Sequence, residues 1–163
     1  MVVQMQMIYQ KRSDDIAARF QARAAELRER VGIEIADRIV DRSPVDSGTY
    51  IMAHAAGPDT SGESASRSSQ GKPRGRNASQ FRELARANLR RSVSAAAVQA
   101  SGTIWFRNRA LHAGRVEYLG WPAPLFGNAG ASGRGPYYVY ADTRAEVPAI
   151  INQVAASMGF DTR

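Results

Sequence analysis

Hydrophobic residues recur at two different periods along the chain, and each period predicts a different element. Over Met1 to Gln10 they alternate. Val3, Met5, Met7 and Tyr9 fall on one side, and Gln4, Gln6 and Gln10 on the other. Period two predicts a short strand, either an edge of the chain's own sheet or a strand between subunits. The same alternation lacks the basic start and solid apolar stretch of a secretory leader. From Ser13 the period changes. Ile16, Phe20, Ala24, Leu27, Val31, Ile35 and Ile39 follow one another at steps of three or four. That is one apolar stripe on a long helix, capped by Ser13, with Asp14 and Asp15 in its first turn. Glu26–Arg30 and Glu34–Arg38 stand on its polar side in the favourable order for i,i+4 pairs. Gly32 predicts a bend or a close approach. Pro44 requires an extended predecessor, so the helix is expected to stop at Ser43.

Ser43-Pro44-Val45-Asp46-Ser47-Gly48-Thr49 then reads as a turn. Pro44 fixes one dihedral, Asp46 or Ser47 closes a side-chain turn, and Gly48 takes positive φ. A strand is expected over Tyr50–Ala56, and residues 57–77 offer almost nothing to bury. Phe81, Leu84, Ala85 and Leu89 predict a second amphipathic helix or arm over 78–91. Two strands, Ser92–Ala100 and Gly102–Asn108, are expected around Ser101-Gly102; Thr103-Ile104-Trp105-Phe106 is strongly β-prone. A short helix or extended piece follows over Leu111–Leu119, then a loop over 120–135 and a strand over Pro136–Tyr140. Asp142 or Thr143 caps a last helix through Met158. Pro148 there predicts a kink, or a start delayed to Glu146. The expected fold is α+β. A long N-terminal helix and a C-terminal helix pack on one face of a mostly antiparallel sheet, in one domain over 1–163, with 57–91 as a long basic arm.

Composition narrows the function. The 163 residues are 44% hydrophobic, enough for one core, and contain no cysteine. Disulfides, thiolate metal sites and cysteine nucleophiles are therefore excluded. No apolar run reaches the ~20 residues of a membrane span. The net charge is +7, and 20 of the 22 basic residues are arginine. Residues 67–91 hold Arg67, Lys72, Arg74, Arg76, Arg82, Arg86, Arg90 and Arg91 against Glu83 alone, which accounts for the whole net charge. Arginine forks suit phosphates and carboxylates alike. The segment therefore reads as a DNA-contacting surface with salt-dependent affinity or as an arm that pairs with acidic neighbours. It has no DNA-reading motif, and Phe81 is its only aromatic.

Chemistry is sparse. His54 and His112 are the two histidines, without metal-ligand spacing and without a Gly-x-Ser-x-Gly elbow. Gly130-Ala131-Ser132-Gly133-Arg134-Gly135 lacks the lysine of a phosphate-binding loop. Asp46, Glu117 and Asp142 are read as caps and ion-pair partners. No catalytic residue, cofactor or metal is expected.

Three blocks carry a family resemblance. The first is Ser43 to Thr49 directly after the long helix. The second is Ile104-Trp105-Phe106-Arg107-Asn108 leading to Val116-Glu117-Tyr118-Leu119-Gly120-Trp121, with Ala123-Pro124 behind. The third is Gly135-Pro136-Tyr137-Tyr138-Val139 before the terminal helix. Together they resemble the tail-component, or neck, family of long-tailed phages, whose members act as tail-completion or tail-terminator proteins at the head–tail junction. The resemblance implies a non-enzymatic virion protein of a phage or a phage-derived gene-transfer particle, assembled in the host cytoplasm. It implies a homo-oligomeric ring, usually a hexamer, with a central channel for DNA. The implied partners are further copies, adaptor or stopper proteins of the neck, and the tail-tube protein, with double-stranded DNA in transit and no membrane. Pro44, Asp46 and Gly48 become the structural turn. Arg74, Arg76, Arg82, Arg86, Arg90, Arg91, Glu117, Tyr118 and Trp121 become interface candidates, since ring contacts join two complementary faces.

Overall fold

The computed structural model describes residues 2–45, 48–58, 78–98, 102–119 and 136–160, with side chains described from Arg12 onward in the first of these stretches. In chain order the elements are α1 (Val2–Arg42), α2 (Thr49–Met52), β1 (His54–Gly57), α3 (Ala78–Ala97), β2 (Trp105–Asn108), α4 (Ala113–Tyr118) and α5 (Val139–Ser157). The described residues are mostly helical, with one small antiparallel sheet. β1 pairs with β2 so that His54 faces Asn108 and Gly57 faces Trp105. The class is broadly α+β. None of the described helices is long and apolar enough to cross a membrane.

α1 covers the stretch of three-and-four spacing and ends where Pro44 requires, but it begins at Val2, so Ser13 lies inside the helix and does not cap it. Its last turn closes through Ser43 N–H to the Ile39 carbonyl at 3.1 Å. Its C-terminal end enters the core through Ala36, Ile39 and Val40, which are buried; of these only Ile39 belongs to the predicted stripe. Against it lies α3, whose Phe81, Ala85, Leu89 and Val93 recur at steps of four and are also buried. Gly32 is the point of closest approach. A Cβ there would lie 2.6 Å from Val93 Cγ1 and 3.4 Å from Ile104 Cδ1, so the two helices can sit this close only without one. Tyr50, Ile51, Val116 and Val139 complete the cluster. α5 packs on α1 as well. Arg42 reaches Thr143 Oγ1 at 3.0 Å and Glu146 Oε1 at 2.5 Å, and Arg23 reaches the Met158 carbonyl at 2.5 Å while lying over the Phe160 ring.

Four expected strands are corrected. Met1–Gln10 is not a strand: from Val2 onward it is the first part of α1. Its Met, Gln and Lys residues are good helix formers, and extending an existing helix avoids the cost of nucleation. Ser92–Ala100 is helical through Ala97. Ala95, Ala96 and Ala97 favour helix, and Val93 adds one more step to the buried stripe of α3. Tyr50–Ala56 splits into the helical turn α2 and a strand that begins at His54. Pro136–Tyr140 is extended only to Tyr138, where the chain takes a left-handed conformation (φ 45°) and enters α5 at Val139. α5 therefore starts before Glu146 and contains Pro148. Pro148 and Arg144 are both exposed, so water can take the carbonyl that the proline leaves unpaired. Of the expected loop over 57–77, Gly57 ends β1 and residues 59–77 lie outside the described residues with Arg74 and Arg76, as do the expected loop over 120–135 with Trp121, and Asp46.

Candidate functional site

The end of α1, the turn after it, the β1–β2 pair, α4 and the start of α5 meet around one cluster of buried polar side chains. The turn is possible because Gly48 adopts φ 79°. Its backbone lies against the Phe81 ring, and a Cβ at this position would come within 2.3 Å of Phe81 Cε1. The positive φ expected of Gly48 is present, and both Ser43 and Tyr50 reach His54.

His54 is buried and joined at both ring nitrogens. Nε2 lies 2.7 Å from Ser43 Oγ, and Nδ1 lies 2.7 Å from the Tyr140 hydroxyl. Ser43 already donates its proton to the Ile39 carbonyl at 2.6 Å. Its oxygen must then accept, which assigns the proton to Nε2 and makes Nδ1 the acceptor for Tyr140. The result is a one-directional chain, from Tyr140 through His54 and Ser43 to the last turn of α1. Asn108 stands beside it. Its Nδ2 donates to the Tyr50 carbonyl at 2.9 Å and approaches His54 Nδ1 at 3.2 Å, while its Oδ1 accepts the Ala110 amide at 2.8 Å. The Tyr50 ring meets the imidazole edge-on at 5.1 Å. Burial without a charged partner pushes His54 down to about 3, so the ring is neutral at ordinary pH. Burial also raises Tyr140, and burial together with the nearby Glu117 carboxylate raises Tyr50.

Glu117 forms the other half of the cluster. It is only 5% exposed. Oε1 accepts the Tyr140 amide at 2.7 Å and the Ala141 amide at 3.2 Å, and Oε2 lies 3.4 Å from the Tyr50 hydroxyl. Tyr140 and Ala141 supply free amides of the first turn of α5, whose own N-cap Tyr138 makes no side-chain capping bond. Glu117 therefore caps α5 from another helix, with its charge at the positive end of the helix dipole. The Tyr137 and Tyr138 amides bond the Val116 and Glu117 carbonyls, both at 3.2 Å, and fasten the same corner. A cleft of about 220 Å³ opens beside the cluster, lined by Tyr50, Arg107, Asn108, Glu117 and Tyr140 among others.

The interface candidates separate sharply. Arg82, Arg86 and Arg90 form a ladder on α3 facing Asp37 and Asp41 of α1. Arg82 donates to the Val40 and Asp41 carbonyls at 2.7 and 3.0 Å, closing the C-terminus of α1. Arg86 pairs with Asp41, and with Asp37 at 3.4 Å. Arg90 grips Asp37 with both prongs, Nε at 2.9 Å to one oxygen and Nη2 to the other. That pairing raises the pKa of Arg90. These carboxylates belong to the same chain, so from Ala78 onward the segment folds back onto its own core. Arg91 is exposed, Tyr118 is 64% exposed, and Glu117 is buried in the chain's own corner. His112 lies at the cluster's edge, its ring 6.4 Å from Tyr50, with its pKa lowered by burial. The sequence gives His54 no role beyond its lack of metal or catalytic spacing and does not single out Tyr140, which is 86 residues from its partner. No family model matches the chain, and comparison with the curated proteins and with the solved structures gave no match.

Proposed function

We propose that this protein is a structural, non-enzymatic subunit of the phage neck: a ring component that completes or terminates the tail and joins it to the head around a DNA channel. One observation carries the proposal. The three sequence blocks of the resemblance, far apart in the chain, meet at one corner. The Ser43–Thr49 turn contributes Ser43 and Gly48, and the second block contributes Asn108 and Glu117. The third leads directly into Tyr140 at the start of α5. A motif set that builds one fastened corner is what a common fold requires, and Ser43, Asn108 and Glu117 each have a partner there.

The polar groups of the corner support a scaffold role. Ser43 and His54 are buried and bonded to one another and to the frame, with no exposed nucleophile between them. In this reading the partners are further copies in a ring, adaptor or stopper proteins, and the tail-tube protein. The protein resides in the virion after assembly in the host cytoplasm. Since Arg82, Arg86 and Arg90 pair within the chain, the outward contacts fall to Arg91, Tyr118 and the remainder of the 57–91 arm.

The test is co-expression with the tail-tube and neck proteins of the same particle, followed by sedimentation and electron microscopy. A ring seated on the tube end is expected. Deleting residues 60–76 is expected to leave the subunit folded and stop its assembly. Strong DNA retardation with a steep salt slope, and no association with tubes, would replace this reading with the DNA-contacting one.

A further inference from the structure

One edge of β2 pairs with β1, and the phase of that pairing shows what the other edge offers. The Arg109 amide donates to the Ala53 carbonyl at 3.0 Å. Antiparallel pairs alternate between those that exchange main-chain bonds and those that do not. Arg109–Ala53 is of the first kind and so is Arg107–Ala55, which leaves Phe106–Ala56 and Asn108–His54 in the second. The amides and carbonyls of Phe106 and Asn108 therefore point away from β1. No described residue bonds these four groups. The cleft of about 220 Å³ runs along this edge. Phe106 and Asn108 line it from one face of β2 and Arg107 from the other, no residue of β1 lines it, and Gly114 and Tyr118 of α4 stand on its far side.

Arg107 is a second, independent feature of the same cleft. Its Nε is buried and has no acceptor, and its guanidinium makes no ion pair among the described residues. A buried donor without an acceptor is costly, and a carboxylate is the acceptor that suits a guanidinium best. Glu117 lines the cleft too but does not supply it. Its oxygens face the Tyr140 and Ala141 amides and the Tyr50 hydroxyl. We propose that an extended, acidic peptide segment of another protein docks in this cleft as a third strand beside β2. The free main-chain groups specify an extended backbone, since only another strand presents donors and acceptors at their spacing of ~7 Å. Arg107 specifies the charge. The peptide residue opposite Arg107 projects its side chain on the same face as Arg107, with the two Cβ atoms about 5 Å apart, and this residue is Asp or Glu. Its own amide points away from β2, while the residues on either side of it bond Phe106 and Asn108. The docking does not rest on the neck reading, because it requires only a protein that carries such a segment.

The test uses the full chain and a yeast-displayed library of linear peptides. Selection is expected to enrich peptides with one Asp or Glu between two β-prone residues. When a selected peptide is added, the Phe106 and Asn108 amides are expected to become protected from exchange, with no change at the Arg107 amide, which β1 already holds. N-methylation of the peptide is expected to abolish binding at either neighbour of the acidic residue and to be tolerated on the acidic residue itself. Arg107→Gln is expected to weaken binding at least tenfold, as is Glu→Gln in the peptide, and the two together should add little. Gly114 supplies a second variant. A Cβ there would meet nothing within 4 Å, so Gly114→Leu should fill the cleft, leave the far-ultraviolet spectrum unchanged and block the peptide. No enrichment over the Gly114→Leu chain overturns the proposal. So does binding that leaves the Phe106 and Asn108 amides exchanging, or that is indifferent to Arg107→Gln. Protection of both amides in the free chain also overturns it, by showing that the chain covers its own edge. Docking with the expected protection, by a chain that never joins tail tubes, supports the proposal and removes the neck reading.

Discussion

The corner around His54 and Glu117 and the arginine ladder between α3 and α1 both join distant parts of the chain through polar groups, but they work in different surroundings. In the corner, Ser43, His54 and Glu117 are each under a tenth exposed, and Glu117 is the one carboxylate among its bonded groups. In the ladder, the Asp37 and Asp41 carboxylates face the guanidinium groups of Arg86 and Arg90 while Arg82 holds backbone carbonyls, and Arg90 and Asp41 remain about half exposed. Water can replace a lost ladder contact; in the corner it cannot do so without opening the core. Breaking a contact should therefore be costly in the first and cheap in the second, although the ladder holds more charge.

The largest effect is expected at the turn that positions the corner. Gly48→Val forces a β-branched residue to φ 79° and drives its side chain into the Phe81 ring. Backbone strain and overpacking each cost about 1–3 kcal/mol, so a loss near 4 kcal/mol is expected in chemical unfolding. Gly48→Ala should lose less and retain the same order. An unchanged midpoint for Gly48→Val would show that the turn is not held by Phe81.

Glu117→Ala comes next, at about 3 kcal/mol. It leaves the Tyr140 and Ala141 amides and the Tyr50 hydroxyl without their acceptor in a buried place. Glu117→Gln keeps an acceptor and loses the charge at the helix dipole, so it should cost roughly half as much. Amide exchange in the first turn of α5 should rise selectively in both variants. If exchange rises uniformly, the carboxylate is not a local cap.

A pH titration reports on the corner. His54 is held neutral in the folded protein, with its pKa near 3 against 6.5 in the unfolded chain. Above 6.5 neither state is protonated and His54 imposes no penalty. As pH falls below 6.5 the unfolded chain takes up a proton that the folded one refuses, and stability declines until about pH 3. The slope is at most ~1.4 kcal/mol per pH unit, or about 2 kcal/mol between pH 7 and pH 5. His112 shifts in the same direction. His54→Asn should flatten most of that slope; an unaltered slope would assign it elsewhere.

The contrast also explains what could be read from the chain. The helical course of α1, the stop before Pro44 and the positive φ of Gly48 are local consequences of residue size and dihedral preference and appear as expected, whereas of the predicted stripe only Ile39 is buried and Ile16 and Phe20 are exposed. The ladder was half legible. Arg82, Arg86 and Arg90 stand four apart, as Asp37 and Asp41 do, but pairing them required knowing that Gly32 admits α3 against α1. A capping role is among the readings the sequence offers for Glu117, but the helix it caps was not legible, because its partners are amides that become free only when a helix begins at Val139. Tyr137, Tyr138 and Val139 favour strand by type, and the left-handed turn at Tyr138 overrides that preference. The N-terminal alternation misled for the opposite reason: ten residues of period two are weaker than the continuation of a helix already formed.

The smallest effect belongs to the ladder. Asp37→Asn weakens the Arg90 fork and the 3.4 Å contact with Arg86 together. The arginines stay in contact with water, and Arg86 keeps Asp41. Surface pairs contribute about 0–1 kcal/mol, and a network only modestly more, so the loss should stay below about 1 kcal/mol. Charge still distinguishes it from the corner. Raising salt to ~1 M shortens the screening length to about 3 Å and should erase most of the difference between Asp37→Asn and the parent chain. The same salt should leave the Glu117→Ala defect nearly unchanged, because those donors are shielded from ions by burial. Arg90→Gln should reproduce the Asp37→Asn result, and combining the two should add little, since both remove the same fork. If Asp37→Asn instead costs as much as Glu117→Ala and resists salt, the ladder is as effectively buried as the corner. The distinction between a rigid corner and a solvated clasp would then disappear.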